Sequence, residues 1–336
     1  MKKNNFYFLL VGCVFFISCS KEQDNSSTDP VVSPPTSTDA LTTKNVKTYM
    51  VDANATEATV ALFYNLKKLA KTHFAIGQQD AFNGFYNNGS SAQSDIKKTT
   101  GNDPAVLGLD FMFITDKSNN GQSDNWFYQQ EKIIIDDAKE AFGKGMITTF
   151  AWHLREPFKE ESFYAADMTE TQKNTAFKSI LPGGTNHNWY KQKLDKIASV
   201  FLNLKDANGV LIPVIFRPFH EFDGNWFWWG QNYCTAEEYK TAFQFTVDYL
   251  KNTKGVHNVL YAFSPDNSYS TATNYLSRYP GDAYVDVLGM DNYGDFNNQG
   301  QTGADRANAK LKMISELAIS KVKIAAMTET GYQVTA

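Results

Sequence analysis

Cysteine is scarce in this chain of 336 residues: there are three, and Cys13 and Cys19 fall so early that Cys234 alone is left for the folded part. A disulfide framework is therefore excluded. Histidine is nearly as scarce, at five, with no His-x-His pair and no HExxH helix. A metal hydrolase would have only His153-Leu154-Arg155-Glu156 and His220-Glu221 to draw on, so neither a metal nor a cofactor is expected. Basic runs are missing as well. With 32 basic against 36 acidic residues and no stretch longer than a pair such as Lys2-Lys3, the net charge is −4 and nucleic acid is not an expected partner. The longest apolar run, Phe6 to Ile17, falls short of the ~20 residues that span a bilayer as a helix.

What is abundant is apolar and aromatic side chain, 42% and 14% of the residues, enough to fill one large core. The apolar run behind Lys2 and Lys3 has the form of a secretory signal. It ends in Phe16-Ile17-Ser18-Cys19, which resembles a bacterial lipobox, with cleavage before Cys19 and a lipid on its thiol. Lys21-Glu22-Gln23-Asp24 behind it is similar to the acidic export tags of surface lipoproteins in the Bacteroides group. Residues 20 to 43 hold ten Ser/Thr, three prolines and no aromatic residue, the composition of a tether. The expected organisation is a signal peptide over 1–18, a lipidated Cys19 with its tether over 19–43, and a folded domain over 44–336. The expected location is the outer membrane, facing the cell surface through the lipid anchor, and the expected state is a monomer.

From Lys44 onward, short β-rich runs alternate with helical patterns. Strands are predicted at His73–Asp80, Ala105–Met112, Met146–His153, Leu211–Glu221, Val259–Asp266, Val285–Tyr293 and Lys323–Gly331. Apolar periodicity marks helices before the first, fourth and seventh, and Thr235-Ala236-Glu237-Glu238 is a capping box opening another. Strand and helix in alternation argue for an α/β fold, a (β/α)8 TIM barrel, over a doubly wound sheet, whose Gly-rich phosphate loop is absent after the first strand. The segment from Leu154 to His187 is too long for an ordinary loop and is expected to wall a cleft on the catalytic face. Only seven strands can be counted, the last ending near the final residue. The barrel is thus expected to lack its eighth strand and helix, to be open and prone to aggregate, unless Lys47 to Asp52 supplies the missing strand.

Barrel enzymes carry their reactive groups at the C-terminal ends of the strands. Those ends here are His153, Glu221, Asp266, Asp291, Tyr293 and Glu329. Glu221 and Glu329 close strongly apolar strands; one such glutamate could simply pair with a barrel arginine such as Arg217. Two, facing each other beside Trp226, Trp228 and Trp229, suit cleavage of a glycosidic bond. One carboxyl protonates the leaving oxygen while the other meets the developing oxocarbenium ion. Trp226, first after the Gly224 turn, is the candidate sugar platform; Trp228 and Trp229 are more readily read as filling between loop and helix.

RPFHEFDGNWFWWG around Glu221 and MTETGY around Glu329 together resemble glycoside hydrolase family 26, whose best-populated activity is endo-β-1,4-mannanase. The likeness runs from Lys44 to Ala336. It implies a retaining mechanism on β-mannan, with Glu221 as acid/base and Glu329 as nucleophile. It further implies that His153 and His220 contact the sugar beside the scissile bond, that Trp226 stacks on a sugar, that Tyr293 hydrogen-bonds the nucleophile and that Asp291 supports the site. The roles are physically consistent if Tyr293 keeps Glu329 ionised and a second carboxylate with partial desolvation keeps Glu221 protonated. Two other readings stay open: a hydrolase of the same family acting on mixed-linkage glucan or xylan, and a surface lipoprotein that captures glycan without cleaving it.

Overall fold

The computed structural model describes residues 41–82, 94–297 and 299–331. The expected signal segment, Cys19 and most of the expected tether lie outside the described residues. Seven strands form one parallel sheet in sequence order: β1 Gly77–Gln79, β2 Val106–Asp110, β3 Ile147–Ala151, β4 Val214–Arg217, β5 Val259–Phe263, β6 Val287–Asp291 and β7 Ile324–Glu329. Each lies inside a run predicted from sequence. Helices alternate with them: α1 Glu57–Leu69, α2 Asp95–Thr100, α3 Met112–Thr115, α4 Trp126–Gly143, α5 Glu170–Ile180, α6 His187–Asn203, α7 Ala236–Asp248, α8 Ala272–Tyr275 and α9 Gly300–Ser320. The architecture is that of the (β/α)8 barrel, with seven of its strands among the described residues.

Burial on both faces explains the apolar runs. On β5 every residue is buried, and alternate side chains go to different cores. Val259, Tyr261 and Phe263 join the large cluster that takes the apolar faces of α4, α6 and α7. Leu260 and Ala262 instead join Val287 of β6, Ile324 of β7 and Val60 and Phe63 of α1. Successive strand residues point to opposite faces. Ile215 and Arg217 on β4, and Val287 and Asp291 on β6, therefore share the inner face, apolar at the entry end of the strands and charged at the exit.

The entry end is closed by residues 46–70. The amide of Val51 donates to Asp286 Oδ1 at 2.9 Å, Thr56 N to His257 O at 2.9 Å, and Lys67 Nζ to Lys323 O at 2.5 Å. These three acceptors lie just before β6, β5 and β7. Lys47 to Asp52 is accordingly no eighth strand. Val46–Tyr49 winds into a 3-10 turn, and Val46 and Met50 are buried against α1 and the strand bottoms. Among the described residues β1 and β7 are not paired with each other.

The exit end differs from the sequence reading in two places. β4 was expected to run to Glu221 and stops at Arg217, because Phe219 and Glu221 both take left-handed φ of 52°, a conformation outside the strand region. The long segment after β3 contains α5, opened by a capping box in which Thr169 and Gln172 bond reciprocally. The signal Thr169-Glu170-Thr171-Gln172 stands in the sequence.

Candidate active site

Glu221 sits on a turn held in strain. Within RPFHEFDGN, Phe219, Glu221 and Asn225 all have positive φ, and left-handed backbone costs a non-glycine residue roughly 1–2 kcal/mol. The turn is pinned from outside: Glu221 N donates to Ser264 O at 2.9 Å, and the Asp223 carboxylate accepts from the amides of Asp266 and Ser268. Trp226 folds back over Gly224, where a Cβ would lie 2.0 Å from the indole ring. From there its Nε1–H donates to Glu221 Oε2 at 2.8 Å.

Glu329 reaches the same space through a bulge. Met290 pairs with Met327 but Asp291 with Glu329, so Thr328 is an extra residue in β7. The bulge turns both Thr328 and Glu329 toward β6 and β4, as bulges beside active sites re-aim side chains. Thr328 Oγ1 donates to Asp291 Oδ1, and Arg217, 2% exposed, donates from Nη1 to Asp291 Oδ1 at 2.6 Å and from Nη2 to Glu329 Oε1. Tyr293 OH donates to Glu329 Oε2 at 3.1 Å. An arginine partner for Glu329 thus exists, and it clamps Asp291 in the same grip.

These environments separate the two glutamates. Both oxygens of Glu329 accept a hydrogen bond, one from a cation. Among the described residues Glu221 accepts only from the indole, and burial, then the charge of Glu329, push its carboxyl up to about 7, with Asp266 adding to the rise. Asp266 is itself pushed up to about 6 by burial and by Asp223. A carboxyl that holds its proton near neutrality beside one that accepts a guanidinium is the arrangement of an acid and a nucleophile.

The histidines flank this pair. His153 Nδ1 lies 2.5 Å from Asp110 Oδ2, and its ring meets His220 edge to face at 4.6 Å. His220 is completely buried, with neither ring nitrogen hydrogen-bonded among the described residues, and burial, then the charges of His153 and Arg217, pull it well below the usual histidine range. His220, Asp291 and Glu329 hold ligand atoms within 4.8 Å of one another, a spacing that could take a metal ion. The guanidinium of Arg217 already bonds both of those carboxylates, so the positive charge a metal would bring is supplied by the chain.

Together these groups line an open cleft of about 540 Å³, into which His153, Glu221, Trp226, Tyr293 and Glu329 all project. Asp291 and His220 lie buried beneath it. Trp228 and Trp229 are buried too, their indoles donating to Leu154 O and His220 O at 2.8 and 2.7 Å; they build the turn and do not face the cleft. Sequence reasoning missed Tyr164 and Phe227, which pair as an isolated antiparallel bridge and stack at 5.8 Å on one wall. It also missed Asp110, and it foresaw Arg217 as a partner of a glutamate but not its grip on Asp291. A carboxylate ending the apolar run Val106-Leu107-Gly108-Leu109 was the available signal for Asp110.

Residues 51–332 match the profile of glycosyl hydrolase family 26. The chain belongs to that family. A mannan endo-1,4-beta-mannosidase of Bifidobacterium adolescentis is 38% identical over 286 residues, 83% of this chain and 27% of its own length. A mannan endo-1,4-beta-mannosidase of Bacillus subtilis is 28% identical over 228 residues, 63% of this chain and 57% of its own. The solved structure of GH26C from Muricauda sp. MAR_2010_75 is 59% identical with a TM-score of 0.85, over 87% of this chain and 78% of that one. This family-26 chain therefore spans about a quarter to just over half of the two curated relatives.

Proposed function

We propose that this chain is a retaining, endo-acting hydrolase of β-1,4-mannan or galactomannan. The observation that carries the proposal is the unequal treatment of two carboxyl groups on one cleft: Glu329 held by Arg217 and Tyr293, Glu221 pushed to about 7. Glu329 attacks the anomeric carbon while Glu221 gives its proton to the departing oxygen, leaving a glycosyl-enzyme ester. Glu221, now ionised, takes a proton from water, which attacks the same carbon and releases Glu329. Retention follows from the two inversions.

Trp226, with 38% of its surface exposed, offers a face for a sugar's C–H groups while its N–H stays on Glu221. His153, and His220 beneath it, are assigned to the sugar beside the scissile bond. Mannan is preferred over mixed-linkage glucan or xylan because the relatives from Bifidobacterium adolescentis and Bacillus subtilis are both named for mannan. The anchor belongs to the same proposal: a lipid on Cys19 holds the enzyme at the outer membrane, where polysaccharide arrives. Reducing-sugar release from linear mannan, galactomannan, lichenan and xylan, assayed side by side, tests the substrate. Fastest release from mannan or galactomannan is expected, and fastest release from lichenan or xylan would reassign it.

A further inference from the structure

Asp110 ends β2, one strand away from His153 at the end of β3, and its two oxygens are divided between main chain and imidazole. Oδ1 accepts from the amides of Met112 at 2.7 Å and His153 at 3.2 Å. Oδ2 meets His153 Nδ1 at 2.5 Å. Two backbone bonds hold the carboxylate in place whatever the ring does, so the ring is oriented by the carboxylate. The imidazole is also fixed on its flanks by His220 at 4.6 Å, Phe163 at 5.0 Å and Phe227 at 5.2 Å. With Nδ1 engaged, the nitrogen left for the cleft is Nε2.

The proton count on that ring decides what Nε2 can do. A neutral imidazole that donates from Nδ1 to Asp110 presents a lone pair at Nε2; an imidazolium presents a second N–H. Four groups bear on it. Asp110 faces it from β2, Glu329 from β7, and Glu221 and His220 from the turn after β4, with Asp80 lying behind Asp110. Burial pulls His153 down, but Asp110, and then Glu329 and Glu221, outweigh it and lift the ring above its ordinary range. Asp110 is held below the usual carboxylate range, because His153 outweighs the burial that pushes it up. His220 is kept neutral on the other side.

We propose that Asp110 is a positioning residue that keeps His153 as an imidazolium, so that Nε2–H is a fixed donor to a sugar hydroxyl beside the scissile bond. The proposal rests on the reading of the cleft as a sugar site. A neutral ring would ask the same hydroxyl to donate, and would remove a positive charge that faces both glutamates.

The test is 15N NMR of histidine-labelled protein, with His153→Gln assigning the signal. In the unaltered enzyme at pH 7 both His153 nitrogens are expected at protonated shifts. Asp110→Asn keeps an oxygen for Nδ1–H but removes the charge. It should bring the loss of the Nε2 proton to lower pH and reduce kcat/KM on manno-oligosaccharides by about tenfold to a hundredfold, the range for a charged hydrogen bond. Asp110→Glu should restore part of both. A neutral His153 in the unaltered enzyme at pH 7 overturns the proposal, whether or not the variants fold. So does an Asp110→Asn enzyme with the same His153 titration and undiminished kcat/KM. Should the unaltered enzyme cleave no mannan, the sugar-site reading fails separately, and the NMR titration still decides the charge on His153.

Discussion

Trp226 and Glu221, five residues apart on one turn, are joined by an indole N–H to carboxylate bond of 2.8 Å. That bond favours the ionised carboxylate, whereas burial, Glu329 and Asp266 favour the protonated one. The side chain proposed as the sugar platform thus also limits how firmly Glu221 holds its proton.

The pH profile should report this balance. Protonation of leaving group by Glu221 requires its acid form, so kcat/KM is expected to fall on the alkaline side through a limb near 7. Trp226→Phe keeps an aromatic face but removes the donor to the carboxylate, and should move that limb to higher pH. Asp266→Asn removes a neighbouring negative charge and should move it lower. Shifts of the opposite sign, measured with the same soluble mannan, would exclude Glu221 as the titrating acid.

The two glutamates should differ by substrate. Glu329→Ala is expected to abolish turnover of every substrate, since it removes the proposed nucleophile. Glu221→Ala should slow natural mannan far more than aryl glycosides with good leaving groups, which need little protonation in the first step. Equal losses on both would mean that the acid/base is another residue.

The same carboxyl makes stability depend on pH. Glu221 holds its proton to about 7 when folded, against about 4.3 in an unfolded chain. Between those values the folded state binds more protons, so stability falls as pH rises, and the loss persists above 7. Glu221→Gln keeps an oxygen for Trp226 without the ionisation. Its Tm gain over the unaltered protein should be larger at pH 8 than at pH 4, and an equal gain at both would show that ionisation is not the cause.

Arg217 holds Asp291, which is fully buried: burial pushes that carboxyl well above the usual carboxylate range, and the guanidinium pulls against it. Arg217→Met leaves that carboxylate without its cation, a loss of about 3–5 kcal/mol by analogy with broken buried pairs. Urea denaturation should show it. A loss under about 1 kcal/mol would mean that Asp291 is protonated and needs no counter-charge.

Lipid attachment is checked in cells. Cys19→Ala is expected to move the protein from the membrane to the soluble fraction. An unmodified Cys19 in the mature N-terminal peptide, seen by mass spectrometry, would reject the anchor.

The strands were legible because they are buried on both faces, and a run such as Val259-Leu260-Tyr261-Ala262-Phe263 can be little else. Glu221, Glu329, His153 and Tyr293 were legible because polar residues ending such runs stand out. What local pattern could not carry was direction. Leu211 to Glu221 looks like one continuous strand, and the bonds that hold its last residues in a left-handed turn, Glu221 N to Ser264 O and Trp226 to Glu221 among them, leave no mark in the apolar pattern. Asp110 ends such a run too, but its role was not legible, because the histidine it holds is 43 positions away. The bulge at Thr328 is invisible in sequence, since it exists only as a mismatch between β6 and β7. Lys47 to Asp52 failed as a strand for a related reason: its backbone groups are taken by side chains at the strand bottoms, Val51 N by Asp286 for one.

That closure of the barrel's entry end sets an order of events in folding. The partners of residues 46–70 include His257, Asp286 and Lys323, so α1 emerges from the ribosome long before its binding surface exists. Contacts of such long sequence separation form late, after the loop they close has been ordered. Val60 and Phe63 must stay uncovered until β5, β6 and β7 have been made, and the first helix of the domain is among the last pieces to dock. A chaperone acting on nascent chains would find its longest-lived apolar target in that helix.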